Sequence, residues 1–166
     1  KFEALAARSF VTASFGKTFH NTGWKMGYCA APEKLMKEFQ KVHQFVVFCV
    51  NHPIQKALAT YLKDENHYLK LSDFYQQKRD FFLHLMEGSK FKIIPSKGTY
   101  FQMLDFSEIS TENDIAFAER LTKEHKIATI PTSVFNEGGK DFKQIRVCFA
   151  KTDETLSQAA KILQQL

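Results

Sequence analysis

The sequence predicts an α/β chain in two parts. A strand pair with helices runs to residue 66, and a smaller α+β unit with a short, mainly antiparallel sheet covers residues 67 to 166. Three observations carry this expectation. Runs rich in β-branched and aromatic residues alternate with amphipathic helical spacings along the whole chain. The polar stretch KDENHY, residues 63 to 68, interrupts the apolar pattern and marks a junction. Beyond it, two apolar runs are joined by the glycine turn SKGT, which is the pattern of a hairpin.

The elements follow in order. SFVTASF, residues 9 to 15, reads as a buried strand that ends in a turn at Gly16. KMGYCAA reads as a second short strand. Pro32 then starts a helix with Glu33 in its first turn and Leu35, Phe39 and Val42 on one face. A further helix opens at NHP, capped by Asn51 or His52, with the stripe Ile54, Ala57, Leu58, Tyr61 and Leu62. A longer helix covers Ser72 to Glu87, capped by Ser72 and Asp73. Phe74, Phe81, Phe82 and Leu85 form its inner face, and Gly88 closes it. FKIIP and TYFQMLDF read as two strands. STENDIAFAERLTKEH is a helix with Phe117 and Leu121 inward, KIATIP a short strand, VFNEGGKDF a loop and QIRVCFA a strong strand. The last helix starts near Thr152 and buries Leu156, Ala160 and Leu163.

Composition narrows the function classes. With 44% hydrophobic and 25% charged residues, the 166-residue chain is globular in character. Its 17 phenylalanines promise a sizeable core, or surface that something else covers. The net charge of +5 is spread along the chain, with no block of like charges to form a nucleic-acid arm. Cys29, Cys49 and Cys148 lie in apolar strings without C-x-x-C spacing, as expected of buried free thiols in a reducing, cytoplasmic compartment. The longest apolar run, FVVFCV at 45 to 50, is too short to cross a bilayer. The chain begins Lys-Phe-Glu without methionine, as expected of a fragment or a processed chain.

Lys17 is the first residue that suggests chemistry. It follows an apolar strand, a glycine lets the backbone turn before it, and Ser14 and Thr18 flank it. An amine held partly out of water at the mouth of a buried sheet is a nucleophile for an aldehyde. Ser14 and Lys25 would suit a phosphate, one as a hydroxyl donor and one as a point charge. On these residues alone, a solvated surface lysine remains the commoner reading. Arg146 alternates with Ile145 and Val147 on an apolar strand and needs a partner there. An internal salt bridge and a clamp for a substrate carboxylate weigh evenly on the residues alone. The histidines His20, His43 and His52 have no metal-ligand spacing, so no metal site is expected.

The stretch SFGKTFHNTGWKMGYCAAP resembles the cofactor-lysine signature of fold-type I, pyridoxal-phosphate-dependent class I/II aminotransferases. The similarity is greatest to the methionine and aromatic branch that includes kynurenine and glutamine transaminases. It continues through KVHQFVVFCVNHPIQKALATYL, FYQQKRD, GTYF and IRVCFAK, and so covers nearly the whole chain. The resemblance implies that residues 1 to 66 are the tail of a large cofactor domain and the remainder a small C-terminal domain. It implies that Lys17 holds pyridoxal phosphate as a Schiff base and then moves a proton on the substrate. Ser14 matches a phosphate donor. Lys25 stands where many members carry arginine, although this branch commonly has lysine; the charge is kept and the two-pronged fork is not. Arg146 matches the clamp on the substrate α-carboxylate, and Tyr100 lies where the small domain approaches the substrate.

The activity implied is transfer of an amino group from methionine or an aromatic amino acid to a 2-oxo acid, in a cytoplasmic homodimer. The family's usual length is more than twice this one. The expected missing part supplies the aspartate at the pyridine nitrogen and the aromatic that stacks on the ring, so the piece alone is expected to be inactive. Two alternatives stand beside this: a carbon–sulfur β-lyase of the same fold, and a non-catalytic dimerisation or interaction fragment.

Overall fold

The computed structural model describes residues 2–166. The chain divides into two compact units, with the boundary between Lys70 and Leu71.

The first unit opens with one helical turn, α1 (Glu3–Ala6), and a two-stranded antiparallel ribbon of β1 (Val11–Ser14) and β2 (Gly27–Ala30). Its register pairs Val11 with Ala30 and Ser14 with Gly27. Gly27 is required there, because a Cβ would sit 2.5 Å from the carbonyl oxygen of Ala13. The Ser-Phe-Gly segment forms a helical turn, α2 (Phe15–Thr18), where the sequence suggested only a tight turn. Pro32 caps α3 (Glu33–Val46), and the side chain of Asn51 accepts from Ile54 N at 3.1 Å to cap α4 (His52–Tyr61). A single turn, α5 (Asn66–Leu69), ends the unit.

One expectation fails here. The strand at residues 9 to 15 is not buried: β1 is largely exposed, since only a partner strand lies beside it. Among the described residues of this unit, only Gly16, Met26 and Leu58 are buried, and α3 buries none. Phe45 (85% exposed) and Phe48 (82%) stand in solvent. The cysteines depart in the same way: all three are free, but Cys49 is exposed and Cys29 and Cys148 are half-buried.

The second unit contains the core. Its elements are α6 (Leu71–Leu85), β3 (Phe101–Asp105), α7 (Asp114–His125), β4 (Ile130–Pro131), β5 (Gln144–Cys148) and α8 (Asp153–Leu163). The sheet order is β3-β5-β4, antiparallel throughout, so QIRVCFA is the central strand. Ile145 and Val147 point to the core side, where Leu104, Phe106, Phe117, Leu121, Phe149 and Leu156 surround them. Helices α6 and α8 run alongside each other, tied by Lys78 to Asp153 at 2.6 Å and by Gln164 Nε2 donating to Leu85 O at 2.8 Å.

Three details differ from the sequence reading. Helix α6 begins at Leu71, so Ser72 and Asp73 lie inside its first turn instead of capping it. Tyr75 takes the inward place assigned to Phe74, which is exposed. FKIIP does not form a ladder strand and makes only the isolated bridge Lys92–Asp105. Pro95 has no N–H to give, and the Gln102 side chain takes the remaining groups: its Nε2 donates to Ile94 O at 2.9 Å and its Oε1 accepts from Ser96 N at 3.1 Å. Thr152 caps α8 where that helix was expected to start, accepting from Thr155 N, whereas α7 begins at Asp114, inside the expected stretch, with Asn113 accepting from Ala116 N.

Candidate functional site

The candidate residues fall into two groups, one in each unit. Ser14, Lys17 and Lys25 belong to the first, and Tyr100 and Arg146 to the second.

In the first group, Ser14 ends β1 and Lys17 stands three residues on, in α2, which places the two on one side of the turn. Phe15 N donates to Met26 O at 3.1 Å, so the chain next to Lys25 is bonded to the chain next to Ser14. Buried Gly16 makes this closure possible. A Cβ there would sit 3.0 Å from Thr22 Cα and 3.4 Å from Ser14 Oγ. Asn21 N also donates to Gly16 O at 3.1 Å, and the Thr22 hydroxyl bonds the same oxygen. A 3₁₀ turn (Thr22–Trp24) then leads to Lys25, whose backbone is left-handed at φ 52°.

Lys17 is exposed, contrary to the partly withdrawn amine expected, because the ribbon beside it is itself exposed. The side chains are nevertheless uncommitted. The Ser14 hydroxyl makes no capping bond. Neither lysine amine makes an ion pair among the described residues. Two free amines and one free hydroxyl around a closed glycine turn suit a group bearing a phosphate dianion and an aldehyde. Pyridoxal phosphate is such a group, and these residues fit it. Asn21 Oδ1 is buried without a hydrogen-bond partner, an open acceptor that no motif or spacing singles out.

In the second group, Arg146 lies at the centre of β5, opposite Met103 of β3 and Ile130 of β4, on the sheet face away from the core. Of the two readings weighed for Arg146, the internal salt bridge does not form among the described residues. The guanidinium instead lies between two rings, 4.1 Å from the centroid of Phe101 and 5.1 Å from that of Phe135. Its Nε is buried and unpartnered. A guanidinium stacked on its faces keeps its N–H groups for an in-plane partner, and a planar carboxylate is the matching shape.

Sequence reasoning did not single out either ring. Phe101 could have been found, since cross-strand pairing of QIRVCFA with TYFQMLDF puts it diagonal to Arg146. Phe135 comes from a loop, where no periodicity applies. Tyr100 packs against the core, with Tyr75 at 5.9 Å and Phe101 at 4.5 Å between ring centroids. Of the two adjacent aromatics, Phe101 is the one stacked on Arg146.

Among the described residues, no helix is long and apolar enough to cross a membrane. Comparison with known proteins gives a consistent result. A family model described as aminotransferase class I and II matches residues 3–163. The chain is 49% identical over 163 residues to a methionine aminotransferase of Escherichia coli, covering 98% of this chain and 42% of that protein. It is 32% identical to kynurenine–oxoglutarate transaminase 3 of Bos taurus, covering 98% of this chain and 40% of the relative. A solved structure from Escherichia coli, described as having a methionine aminotransferase function, superposes with a TM-score of 0.93 at 48% identity, over 99% of this chain and 44% of that one. The chain therefore spans about two-fifths of the length of the curated relatives it matches.

Proposed function

This chain belongs to the class I and II aminotransferases, and from that premise we propose that the protein carrying it transfers an amino group from methionine or an aromatic amino acid to a 2-oxo acid, with pyridoxal phosphate as cofactor. The observation that carries the reading is Arg146: a guanidinium held between Phe101 and Phe135 with a buried, unpartnered Nε. The substrate class rests on the relatives, one named for methionine and one for kynurenine.

Each residue then has a task. The Ser14 hydroxyl and the Lys25 amine would hold the cofactor phosphate, one as a hydrogen-bond donor and the other as a point charge. The Lys17 amine would hold the cofactor through its aldehyde, and as a free amine it would move the proton at the substrate Cα. When bound, the cofactor supplies an electron sink for the charge that develops at that carbon. Arg146 orients the substrate through two parallel N–H donors on its α-carboxylate. Tyr100 supports the Phe101 ring that stacks on the guanidinium. The first unit is read as the tail of a large cofactor domain, the second as the small C-terminal domain, and the whole protein as a cytoplasmic homodimer. The exposed apolar side chains on and after α3, Phe45 and Phe48, are surface that further chain or a partner subunit would cover.

The test uses the full-length protein. Borohydride reduction followed by peptide mapping should place the cofactor on Lys17. Lys17→Ala should abolish that labelling and lower turnover by about 10²–10⁴-fold, the usual contribution of a proton-transfer residue. Labelling at a different lysine, or normal turnover by the variant, would remove the basis of the assignment.

A further inference from the structure

Phe135 poses a packing question. Its ring stacks on Arg146 yet is 65% exposed, so burial does not fix its position. The backbone that carries it must do so. Phe135 ends a 3₁₀ turn (Ser133–Phe135) in the long connection between β4 and β5.

That turn is fastened from beneath by Asp114, the first residue of α7, which is 1% exposed. Its Oδ2 accepts from Ser133 N at 2.6 Å and its Oδ1 accepts from the Ser133 hydroxyl at 2.7 Å. The far end of the same loop is tied to the same residue. Asp114 N donates to Asp141 Oδ2 at 3.1 Å, and Asp141 Oδ1 accepts from Lys143 N at 2.6 Å, one residue before β5. Within the turn, Phe135 N donates to Thr132 O at 3.0 Å, and the Thr132 hydroxyl donates to Gln144 O at 3.0 Å. A buried carboxylate taking two donors from one residue is a costly arrangement that holds its partner in a single place.

We propose that Asp114 and Ser133 are positioning residues for substrate binding: their buried double hydrogen bond holds the turn that keeps Phe135 against the Arg146 guanidinium, and so sets the affinity for the substrate carboxylate. The inference rests on the reading of Arg146 given above and adds to it the element that shapes the clamp.

The experiment uses full-length holoenzyme and measures three things: the Kd of hydrocinnamate, a carboxylate without an amino group; KM and kcat with methionine; and the thermal midpoint. Ser133→Ala is the lead variant, because it keeps the Ser133 N–H bond and leaves the fold intact. The lost hydrogen bond reaches the ligand only through the Phe135 ring, so only part of its energy is felt there, and Kd and KM should rise about three- to tenfold with kcat within about twofold. Ser133→Thr, which keeps a hydroxyl, should restore most of the loss. Adding Ser133→Ala to Phe135→Ala should cost nothing further, since both act through one ring. A lowered thermal midpoint with unchanged Kd, or full additivity with Phe135→Ala, overturns the proposal. Arg146→Ala separates the two levels. If it leaves Kd unchanged, the carboxylate reading fails and the inference with it. If it weakens binding while Ser133→Ala does not, only the inference fails.

Discussion

Replacing Arg146 by lysine tests the central chemistry with its charge retained. One contribution to substrate binding changes, and one to folding. A lysine cannot offer two parallel N–H groups, so one charge-assisted hydrogen bond to the substrate carboxylate is lost, about 1.5–3 kcal/mol. That loss corresponds to about a 10- to 150-fold fall in kcat/KM for an amino acid donor. The flat contact with Phe101 at 4.1 Å and Phe135 at 5.1 Å exists without substrate, so its partial loss falls on folding, at about 0.5–1 kcal/mol. No larger change in folding is expected, because Arg146 has no carboxylate partner among the described residues and lysine strands none. The assay is steady-state kcat/KM on the full-length protein beside a thermal melt of the same sample. An amine that lacks the carboxylate should react equally with both proteins. A kcat/KM within threefold of wild type refutes the clamp. A large fall with an equally large loss of thermal stability refutes it too, since that would make Arg146 a structural residue.

Four further outcomes follow from the packing and charge. Phe117→Ala removes a fully buried ring stacked 4.0 Å from Phe106 and should destabilise the second unit by about 3–5 kcal/mol in denaturant melts. Gln102→Met keeps the volume but strands Ile94 O and Ser96 N; it should cost about 2–4 kcal/mol by the same measurement. Gly27→Ala forces the ribbon apart at Ala13 O and should cost about 1–3 kcal/mol while weakening cofactor retention, read as visible absorbance after dialysis. Hydrogen bonds from Arg120 and then Ser110 hold the Glu112 carboxyl below the ordinary glutamate range. A lowered folded-state value stabilises above the unfolded value and is lost as pH falls through the folded one. Melts of the wild type should therefore show an acid-limb decline that Glu112→Gln flattens, modestly, because the pair is partly exposed.

What could be read in advance divides along physical lines. Helices with a local signal were legible to within a residue or two: Asn51 and Thr152 cap α4 and α8 as their types suggest, and Leu156, Ala160 and Leu163 face inward. The central strand β5 was legible because Ile145 and Val147 alternate with a charged residue. FKIIP was not, since its apolar character resembles a strand while the Ile94 carbonyl bonds to the side chain of Gln102 instead of to a neighbouring strand's backbone. Burial around β1 was not legible either. An apolar run specifies that a face is to be covered, but not that the cover lies in the same stretch of chain. At the candidate site, the charged groups were visible as residue types in a known order. The rings that enclose Arg146 depend on tertiary placement. Asp114 showed only as the acid of a helix start, because the partner that gives it a second role, Ser133, lies nineteen residues away.

The side chain of Gln102 has a consequence for solubility. A three-stranded sheet leaves two outer rows of peptide groups, and such rows can recruit a strand from another molecule. On the β3 row, Gln102 Nε2 donates to Met103 O at 2.9 Å as well as to Ile94 O, so that a carbonyl which could accept a stranger's N–H is already occupied. On the opposite row, β4 is two residues long and ends in Pro131, which has no N–H to offer. One amide and one imino acid thus terminate the sheet at both sides and guard it against fibrillar growth.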